Sequence, residues 1–531
     1  MRHQLSRAAA LVGSLVLLAS VSASASASGV RLSDTPPEIL FSLTIGEDIN
    51  YAGGGEELLL WGPAAIAVGG DNTVWIADAL GHRALGFSMS GKPIHTIDLS
   101  DRVVGIGDME TAGDQLVVLD IAARDPQVVV IDTDTGATVG ELAIPQEADL
   151  SHGLSGIAVQ ADGSVVAELE GGLTLVTLGV PGGARTVDSY KTPSADIRID
   201  GTGTGIPGLG EESAVSINHQ TVSLPVNNFP GTVQLVGATE SLVALSVDEI
   251  TYTGEGSILV DQTIRVFDRE GQQVGVARLP LADFVVAVAE PVAMSPSGDI
   301  IALLPRADRL DVVALPLGVS LDPVLPAAAL ASAEAHHDIA AAGIESCTSR
   351  STMRATDAGY RTNSHYYSNT NITGTCSGRT KPNYLTTAGT YSSVSYQWGG
   401  WDTVINFNSG MSPGTKQAGD ISSAGNSLSC ARGVDCSGFV TRVWQRTNKK
   451  YGTDTLAEIS TPLPNYSNLL EYDIFLKSGH VMLFRYYSGS GYYVSEATTG
   501  IYERVIYRWI SSSTVGSGTG YGAARYDNVC S

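Results

Sequence analysis

The chain has 531 residues, of which 55 are acidic and 31 are basic, so its formal net charge at pH 7 is −24. That length exceeds what one hydrophobic core usually holds, and it predicts at least two domains. The strong negative charge argues against nucleic acids and anionic lipid surfaces as partners, although such charge also serves simply to keep a secreted protein soluble.

The first residues have the three-part pattern of a secretory signal peptide. A basic start, Met1–Arg7, precedes an apolar run from Ala8 to about Val21, and small Ser and Ala residues follow. The apolar run is shorter than the roughly 20 residues of a membrane span, so a membrane anchor is the weaker alternative. We expect a signal peptide over residues 1–27, no membrane span, and a mature protein that is extracellular, periplasmic or in the cell wall.

Residues 37–320 contain short apolar strands separated by Gly, Asp and Asn. One unit, made of a strand, a tight Asp/Gly turn and a second strand, occurs at 62–78, 156–167 and 291–302, as β-hairpins require. The spacing of roughly 40 residues is the size of a four-stranded propeller blade. We predict about six blades, the fourth poorly formed, that start near residues 62, 102, 153, 194, 231 and 286.

This repeat resembles the NHL and related repeat propellers in its strand–Asp-Gly–strand core. We expect the segment Glu38–Ile45 to add the last strand of the final blade and to close the ring, because closure leaves only short, protected edges. A β-sandwich or two smaller β domains are the alternatives. An acidic propeller would act as a binding module for a protein or polymer ligand.

The composition changes after the propeller. Residues 321–345 are rich in Ala and Pro and predict a linker with a short helix. The adjacent His336 and His337 have no third ligand nearby at zinc spacing, so we expect them to be solvated. Neither a phosphate loop nor a convincing metal cluster is present in the sequence, and we expect no metal ion and no cofactor.

Charge and cysteine usage set the C-terminal segment, residues 346–531, apart from the rest. Residues 341–531 hold 12 acidic and 16 basic residues, whereas residues 8–340 hold 43 and 13. All five cysteines also lie there: Cys347, Cys376, Cys430, Cys436 and Cys530. Four of them can form two disulfides in an oxidising compartment, and of the three pairings we favour Cys347–Cys376 with Cys430–Cys530. We expect Cys436 to be the odd thiol, which calls for an explanation in a secreted protein.

The residues around Cys436 predict a helix that begins at this thiol. Asp435 is a good N-cap residue, and one face of the following helix is apolar: Phe439, Val440, Val443 and Trp444. The unpaired amides and the dipole at a helix start favour an anion, which shifts a thiol toward thiolate. Cys436 therefore has the position of a nucleophile, although a lone buried cysteine is more often structural.

A nucleophilic thiol needs a base, and the sequence offers His480. This histidine opens an apolar strand after Gly479 and is one of only two histidines, with His365, in residues 346–531. A Cys–His pair forms a thiolate and an imidazolium that later protonates the leaving amine. A third group should orient the ring, and Glu496 on the next predicted strand is our choice, with Glu503 as the alternative. Both carboxylates could also be plain surface groups.

Four segments, in the same order along the chain as in the family, resemble the NlpC-type cell-wall peptidases, which are papain-like thiol hydrolases. The run Asp435-Cys-Ser-Gly-Phe-Val440 matches the nucleophile motif, and Tyr396-Gln-Trp-Gly-Gly400 matches a Tyr-x-Trp-Gly-Gly segment upstream. Tyr472-Asp473 occupies the family's Gly-Asp position, and Gly479-His-Val481 is similar to its His motif. The resemblance covers roughly residues 390–510 and implies an α+β domain, with one helix against an antiparallel sheet.

The resemblance also implies a function for these residues. Cys436 would be the nucleophile and His480 the base of a peptidase or amidase, typically one that cleaves peptidoglycan stem peptides at γ-D-glutamyl–diaminopimelate bonds. Tyr396 and Trp398 would line the site, unless they are core aromatics, and Asp435 and Ser437 would contact the amino end of a peptide substrate. Backbone amides at the helix start would stabilise the oxyanion.

Two features depart from the family pattern. The third polar position is most often His, Asn or Gln in the family, and here it is Glu496. The stretch from residue 401 to 434 is far longer than usual and predicts a lid or specificity loop tethered through Cys430. We therefore predict a multidomain protein: an all-β propeller followed by a papain-like NlpC-type cysteine hydrolase. The alternatives are a propeller-based binding protein with an inactive hydrolase domain, and a Cys–His acyl or amide transferase.

Overall fold

The computed structural model describes residues 36–51, 61–145, 150–159, 163–180, 197–201, 213–226, 228–252, 258–281, 284–318, 347–412, 414–422, 427–488, 491–516 and 519–530. The predicted signal peptide, residues 1–27, and the predicted linker, residues 321–345 with His336 and His337, lie outside these ranges. Within them, no helix is long and apolar enough to cross a membrane.

Six antiparallel sheets follow one another along the first part of the chain. The first holds β2 (Ile66–Val68), β3 (Val74–Asp78), β4 (Arg83–Phe87) and β5 (Pro93–Asp98), and the second holds β6 (Ile106–Ala112), β7 (Gln115–Asp120), β8 (Gln127–Asp132) and β9 (Thr138–Ala143). The third holds β10 (Leu154–Val159), β11 (Val165–Leu169) and β12 (Thr174–Gly179), preceded by helix α1 (Leu150–Gly153). The fourth holds β13 (Ile197–Gly201), β14 (Ser213–Ile217) and β15 (Gln220–Leu224).

The last two sheets complete the series. The fifth holds β16 (Phe229–Ala238), β17 (Leu242–Tyr252), β18 (Ile258–Asp268) and β19 (Gln273–Leu279). The sixth holds β20 (Val292–Met294), β21 (Ile300–Pro305) and β22 (Arg309–Leu315), together with the N-terminal strand β1 (Glu38–Thr44). Strand β1 pairs antiparallel with β22, with Leu43 opposite Leu310. The predicted closure of the ring by this segment is therefore confirmed.

The first strands of five of the six sheets pack side by side, as in a β-propeller. Strand β2 packs beside β6 and β20, β6 packs beside β10, and β16 packs beside β20. The three predicted hairpins are β2–β3, β10–β11 and β20–β21. Their turns contain Asn72, Gly163 and Gly298, which adopt φ values of 63°, 82° and 89°. Asn and Gly tolerate this left-handed conformation better than other residues, which explains why the turn residues of the repeat could be recognised in the sequence.

The C-terminal part, residues 347–530, combines helices with one large sheet. Its helices are α2 (Arg350–Arg361), α3 (Asn369–Thr373), α4 (Val404–Met411), α5 (Cys436–Val443) and α6 (Ser512–Val515), with 3₁₀ turns at Leu456–Ile459 and Tyr466–Asn468. Two short pairs are β23 (Ser364–Tyr367) with β24 (Gly389–Ser392) and β25 (Gln417–Ala418) with β26 (Ala431–Arg432). The six-stranded sheet has the order β27 (Ser460–Pro462), β32 (Gly522–Tyr526), β28 (Ile474–Lys477), β29 (His480–Ser488), β30 (Gly491–Thr498) and β31 (Arg504–Ile510).

Helix α5 packs against β29 and β30 through its apolar face. Phe439, Val440, Val443 and Trp444 are all completely buried, as the helical spacing predicts. Their core also contains Val481 and Ala497, which directly follow His480 and Glu496 in the chain. The long stretch from residue 401 to 434 is not a simple loop, because α4 buries Phe407 and Met411 in that same core.

The predicted disulfide pairing is wrong. The bonds join Cys347 to Cys530 and Cys376 to Cys430, and Cys436 is in neither disulfide, as expected. Thr348, beside Cys347, donates its amide to Asn528 O at 2.9 Å, so the two ends of this part of the chain run side by side. The spacing of the cysteines along the sequence does not predict that these two ends lie close together. Cys430 does tether the long stretch, although to Cys376 and not to Cys530.

The C-terminal part docks directly on the propeller. Ile250, Ile258 and Val260 of the fifth sheet share one core with Phe484 and Val515. Polar contacts surround this core: Ser512 N donates to Thr232 Oγ1 at 2.9 Å, Ser513 N to Asp248 Oδ2 at 3.1 Å, and the Tyr493 hydroxyl to Glu170 Oε1 at 2.9 Å. The two parts therefore share a continuous interior.

Candidate active site

Cys436 is the first residue of helix α5, and Asp435 fixes that helix start. The Asp435 side chain accepts hydrogen bonds from Gly438 N at 2.6 Å and from Ser437 Oγ at 3.2 Å, and the Asp435 amide donates to Gly400 O at 3.2 Å. The predicted N-cap is confirmed. Cys436 itself is 0% exposed, and it occupies the N-terminal end of the helix, where an anion is favoured.

His480 and Glu496 form a buried pair. His480 Nε2 lies 2.6 Å from Glu496 Oε2, and the two side chains are 1% and 0% exposed. The other ring nitrogen, Nδ1, is buried and has no hydrogen-bond partner among the described residues. Since the carboxylate binds Nε2, Nδ1 is the nitrogen that remains to take a proton from another group.

Arg508 is the second partner of Glu496. Its Nε donates to Glu496 Oε1 at 2.7 Å, so each carboxylate oxygen has its own partner. Burial alone would raise the pKa of Glu496, but Arg508 and His480 outweigh it and lower that pKa to about 2. Glu496 is therefore ionised at every physiological pH, and it fixes the imidazole through its Nε2 atom.

Tyr521 is near both His480 and Cys436. Its ring stands edge-on to the imidazole with the centroids 6.4 Å apart. Burial raises the pKa of Tyr521 well above its usual value, and the neighbouring Glu496 and Cys436 raise it further. Tyr521 directly precedes the last strand, β32, and is far from the motifs in the sequence. No sequence pattern identified it as a residue of the site.

Lys477 is a further cation at this site. It pairs directly with His480 across the β28–β29 hairpin, and its Nζ lies 4.6 Å from the centre of the Tyr521 ring. Burial lowers the pKa of Lys477 to about 8, although Glu496 acts in the opposite direction. The two-residue turn Ser478-Gly479, with Gly479 at φ 82°, is a hairpin signal that could have placed Lys477 beside His480.

The carboxylate that was the alternative to Glu496 lies elsewhere. Glu503 accepts hydrogen bonds from the backbone amide of Asn383 and, at 3.0 Å, from Asn383 Nδ2. Burial raises the pKa of Glu503 to about 7. Glu496, and not Glu503, is therefore the carboxylate that binds the imidazole.

The four residues expected to line the site are in or beside the core. Tyr396 is completely buried and Trp398 is half-buried against the same core as Cys436. Ser437 is buried and bonds to Asp435, and Asp435 also forms an ion pair with Lys450. The Asp435 carboxylate therefore already holds an ammonium group from its own chain, which is the chemistry that the resemblance assigns to a substrate's amino end.

Taken together, these side chains have the chemistry of a nucleophile, a base and a group that orients the base. The thiol is at a helix start, the imidazole has one nitrogen bound and one without a partner among the described residues, and the carboxylate is charged. Such a set suits acyl transfer from an amide or ester to sulfur. Across the described ranges, no group of three His, Cys, Asp or Glu side chains could hold a metal ion.

No protein-family model matches the chain, and no curated protein matches it. Among solved structures, the chain is similar to a catalytically inactive virginiamycin B lyase from Staphylococcus aureus with quinupristin, at 13% identity over 52% of this chain and 98% of the other, with a TM-score of 0.29. A gluconolactonase from Xanthomonas campestris shares 16% identity over 54% and 97%, with a TM-score of 0.26.

A third similar structure is a member of the DUF4221 family from Bacteroides vulgatus. It shares 7% identity over 52% of this chain and 96% of the other, with a TM-score of 0.33. At these identities and TM-scores, none of the three similarities carries an argument about what this chain does.

Proposed function

We propose that the C-terminal part is a cysteine hydrolase of the papain-like NlpC type, which cleaves peptide or amide bonds. The observation that carries this proposal is the His480–Glu496 bond through Nε2, which leaves Nδ1 for a thiol, in a chain whose one cysteine outside the disulfides stands at a helix start. The ordered motifs around Tyr396, Asp435 and Gly479 support the same reading.

In the proposed reaction, the Cys436 sulfur attacks the carbonyl carbon and the amides at the start of α5 stabilise the oxyanion. The C–N bond then breaks, and the imidazolium of His480 gives its proton to the leaving amine. A water molecule, deprotonated by His480, attacks the resulting thioester and releases the acid while the thiol is restored. Glu496 holds the imidazole in one orientation and stabilises its charged form.

The most fitting substrates are peptidoglycan stem peptides, because the motifs resemble those of cell-wall peptidases. The N-terminal pattern of a signal peptide and the two disulfides fit a protein that works outside the cytoplasm. The acidic propeller would then serve as the binding module for a wall polymer or a partner protein, while its docked C-terminal part performs the cleavage.

The substitution Cys436→Ser tests this proposal. We expect a loss of turnover of about 10³-fold or more, with an unchanged melting temperature, because Ser is close in volume to Cys. The measurement is mass spectrometry of muropeptides after incubation with the mature protein and with the variant. Equal product from both proteins would end the proposal.

One observation favours a second candidate, a propeller-based binding protein with an inactive hydrolase domain. Cys436 is 0% exposed, and a substrate must reach its sulfur. Iodoacetamide distinguishes the two candidates, because a working Cys–His pair is alkylated at neutral pH far faster than an ordinary thiol. Absence of preferential alkylation of Cys436 would favour the binding protein.

A further inference from the structure

Asp435, the residue directly before Cys436, is a buried carboxylate that opposes a second negative charge at the same helix start. Its side chain is 0% exposed, and its Oδ1 accepts hydrogen bonds from Gly438 N at 2.6 Å and from Ser437 Oγ at 3.2 Å. A helix start favours one anion, whereas like-charge repulsion disfavours two anions within about 4–6 Å of each other. The chain therefore needs a cation beside Asp435 if Cys436 is to be ionised as well.

Lys450 supplies that cation. Its Nζ forms an ion pair with the other carboxylate oxygen, Asp435 Oδ2, and the Lys450 side chain is 24% exposed. The next residue binds the loop to helix α5: Tyr451 N donates to Thr441 Oγ1 at 3.3 Å, and the Thr441 hydroxyl donates to Tyr451 O at 3.3 Å. Thr441 is itself part of α5, the helix that begins at Cys436. The ammonium group is therefore held at the helix start by contacts with the nucleophile's own helix.

The other carboxylates on the elements around α5 also have cationic partners. They are Asp357 on α2 with Arg361 and Arg485, Asp402 before the helix with Arg432, and Glu496 on β30 with Arg508. The Asp435–Lys450 pair follows the same pattern, and it is the pair that includes the chain neighbour of Cys436. A change at this pair alone thus leaves the other charges around the helix balanced.

The remaining ionisable groups near α5 are His480 and Lys477 of the β28–β29 hairpin, Tyr521 before β32, Tyr360 on α2 and Arg442 within α5. Burial raises the pKa of Tyr360 and of Tyr521, so both stay neutral around neutral pH, while it lowers the pKa of Lys477 to about 8. Arg442 lies over the Trp401 ring, 3.7 Å from its centre. A comparison of variants that keep all five groups reports on Lys450 and Asp435.

We infer that Lys450 is a positioning residue that acts on the nucleophile through Asp435: its ammonium group neutralises the Asp435 carboxylate and so keeps the Cys436 thiolate stable at neutral pH. Without this ammonium group, the negative charge at the helix start stays on Asp435, because a carboxyl group is a stronger acid than a thiol, and Cys436 keeps its proton. This inference rests on the proposed hydrolase function, and it names the residue that controls the charge of its nucleophile.

The test measures the ultraviolet absorbance of the thiolate in the full-length protein between about pH 3 and 9. Each protein is compared with its Cys436→Ser counterpart, so that only the Cys436 thiolate contributes, and no reagent has to reach the buried sulfur. Lys450→Met should raise the midpoint of thiolate formation by at least about 1 pH unit, because the buried carboxylate is then unbalanced. Lys450→Arg should keep the midpoint close to that of the wild-type protein.

Changes at Asp435 distinguish the effect of charge from a loss of structure. Asn also caps helices, so Asp435→Asn should keep the helix start and move the midpoint in the opposite direction, below the wild-type value. The double variant Lys450→Met, Asp435→Asn should return the midpoint to about the wild-type value. An unshifted midpoint in Lys450→Met, or a shift that the double variant retains, would overturn the inference.

Lys449→Met is the matched control. Lys449 is the chain neighbour of Lys450, but its Nζ lies 3.4 Å from Glu458 Oε2, in a pair whose side chains are 55% and 56% exposed. We expect this variant to keep the wild-type midpoint, because solvent screens such a pair. A midpoint raised as far as in Lys450→Met would show that any lost positive charge has the same effect, and would contradict a specific role for Lys450.

The absorbance measurement needs no substrate, so it separates this inference from the proposed function. If the midpoints shift as expected but stem peptides are not cleaved, the charge pair stands and the hydrolase proposal fails. If stem peptides are cleaved, the acidic limb of the pH profile of kcat/KM should move to higher pH in Lys450→Met, since the thiolate forms later. Cleavage with the same acidic limb in both proteins would leave the hydrolase proposal intact and contradict the role of Lys450.

Discussion

Two completely buried carboxyl groups, one in the propeller and one in the C-terminal part, show opposite protonation behaviour. Asp248, in the interior of β17, has neutral hydrogen-bond donors, Ser513 N, Gln262 and Thr232, and burial, with a smaller contribution from Asp261, raises its pKa to about 7. Glu496 on β30 has Arg508 and His480 as partners, which lower its pKa to about 2.

The difference in pKa shows that a buried carboxyl group has a different role in each region. With neutral donors, a buried carboxyl group is partly protonated near neutral pH and joins the propeller to α6. With cationic partners, the carboxylate stays charged and acts on a group that gains and loses a proton. Burial is equal in the two cases, so the partners alone decide between a structural and a chemical role.

The largest expected effect comes from removing the proposed base. His480→Ala should lower kcat/KM by about 10³-fold or more. Without the imidazole, no group takes the proton of the thiol or gives a proton to the leaving amine. The propeller provides the comparison: His152 also bonds across the molecule, with Nδ1 2.9 Å from Tyr507 O. His152→Ala should cost stability and leave turnover within a few-fold. Similar losses of turnover in both variants would remove the distinction between the regions.

A smaller effect is expected when Glu496 keeps its shape but loses its charge. Glu496→Gln should lower kcat by about 10-fold or more, because the imidazole loses the charged group that orients it. The variant should also lose about 3 kcal/mol of stability, since Arg508 is left without its partner. The double variant Glu496→Gln, Arg508→Leu should recover part of this stability but not kcat. An unchanged kcat in both variants would contradict the role of Glu496.

The smallest effect concerns the acid at the interface. The pKa of Asp248 in the folded protein, about 7, lies above its unfolded value of about 3.9. The stability from this group is therefore fully present below about pH 4 and is lost as the pH rises through 7. Asp248→Asn should flatten this loss and raise the melting temperature at pH 8 by about 2–4 °C, for a gain on the order of 1 kcal/mol. Melting curves between pH 4 and 8 that fall in parallel for both proteins would contradict it.

Local patterns were enough to predict several parts of this molecule. The Asp/Gly turns marked three hairpins, and the apolar spacing after Asp435 predicted the buried face of α5. Even the closing strand β1 was predictable, because a propeller needs a partner for the outer edge of its last sheet. The residues of the hairpins and of helix α5 are close together in the chain, whereas β1 and β22 are far apart and were matched only because the repeat leaves one sheet edge without a partner.

Contacts between distant segments could not be predicted in this way. The pairing of Cys347 with Cys530, the position of Tyr521 beside His480 and the folding of α4 into the core each join segments without a shared pattern. Arg508 likewise reaches Glu496 only because β31 lies beside β30 in the sheet. The position of each of these residues in the sequence does not predict its partner.

The sequence by itself determined the hairpins of the propeller, the helix that starts at Cys436 and the residue types of a thiol, an imidazole and a carboxylate. The tertiary structure decided that Glu496 and not Glu503 binds the imidazole, and that Arg508 keeps Glu496 charged. The physical reason is that turn geometry and helix capping depend on neighbours in the chain. The charge state of a buried group depends instead on whatever the fold brings within a few ångströms of it.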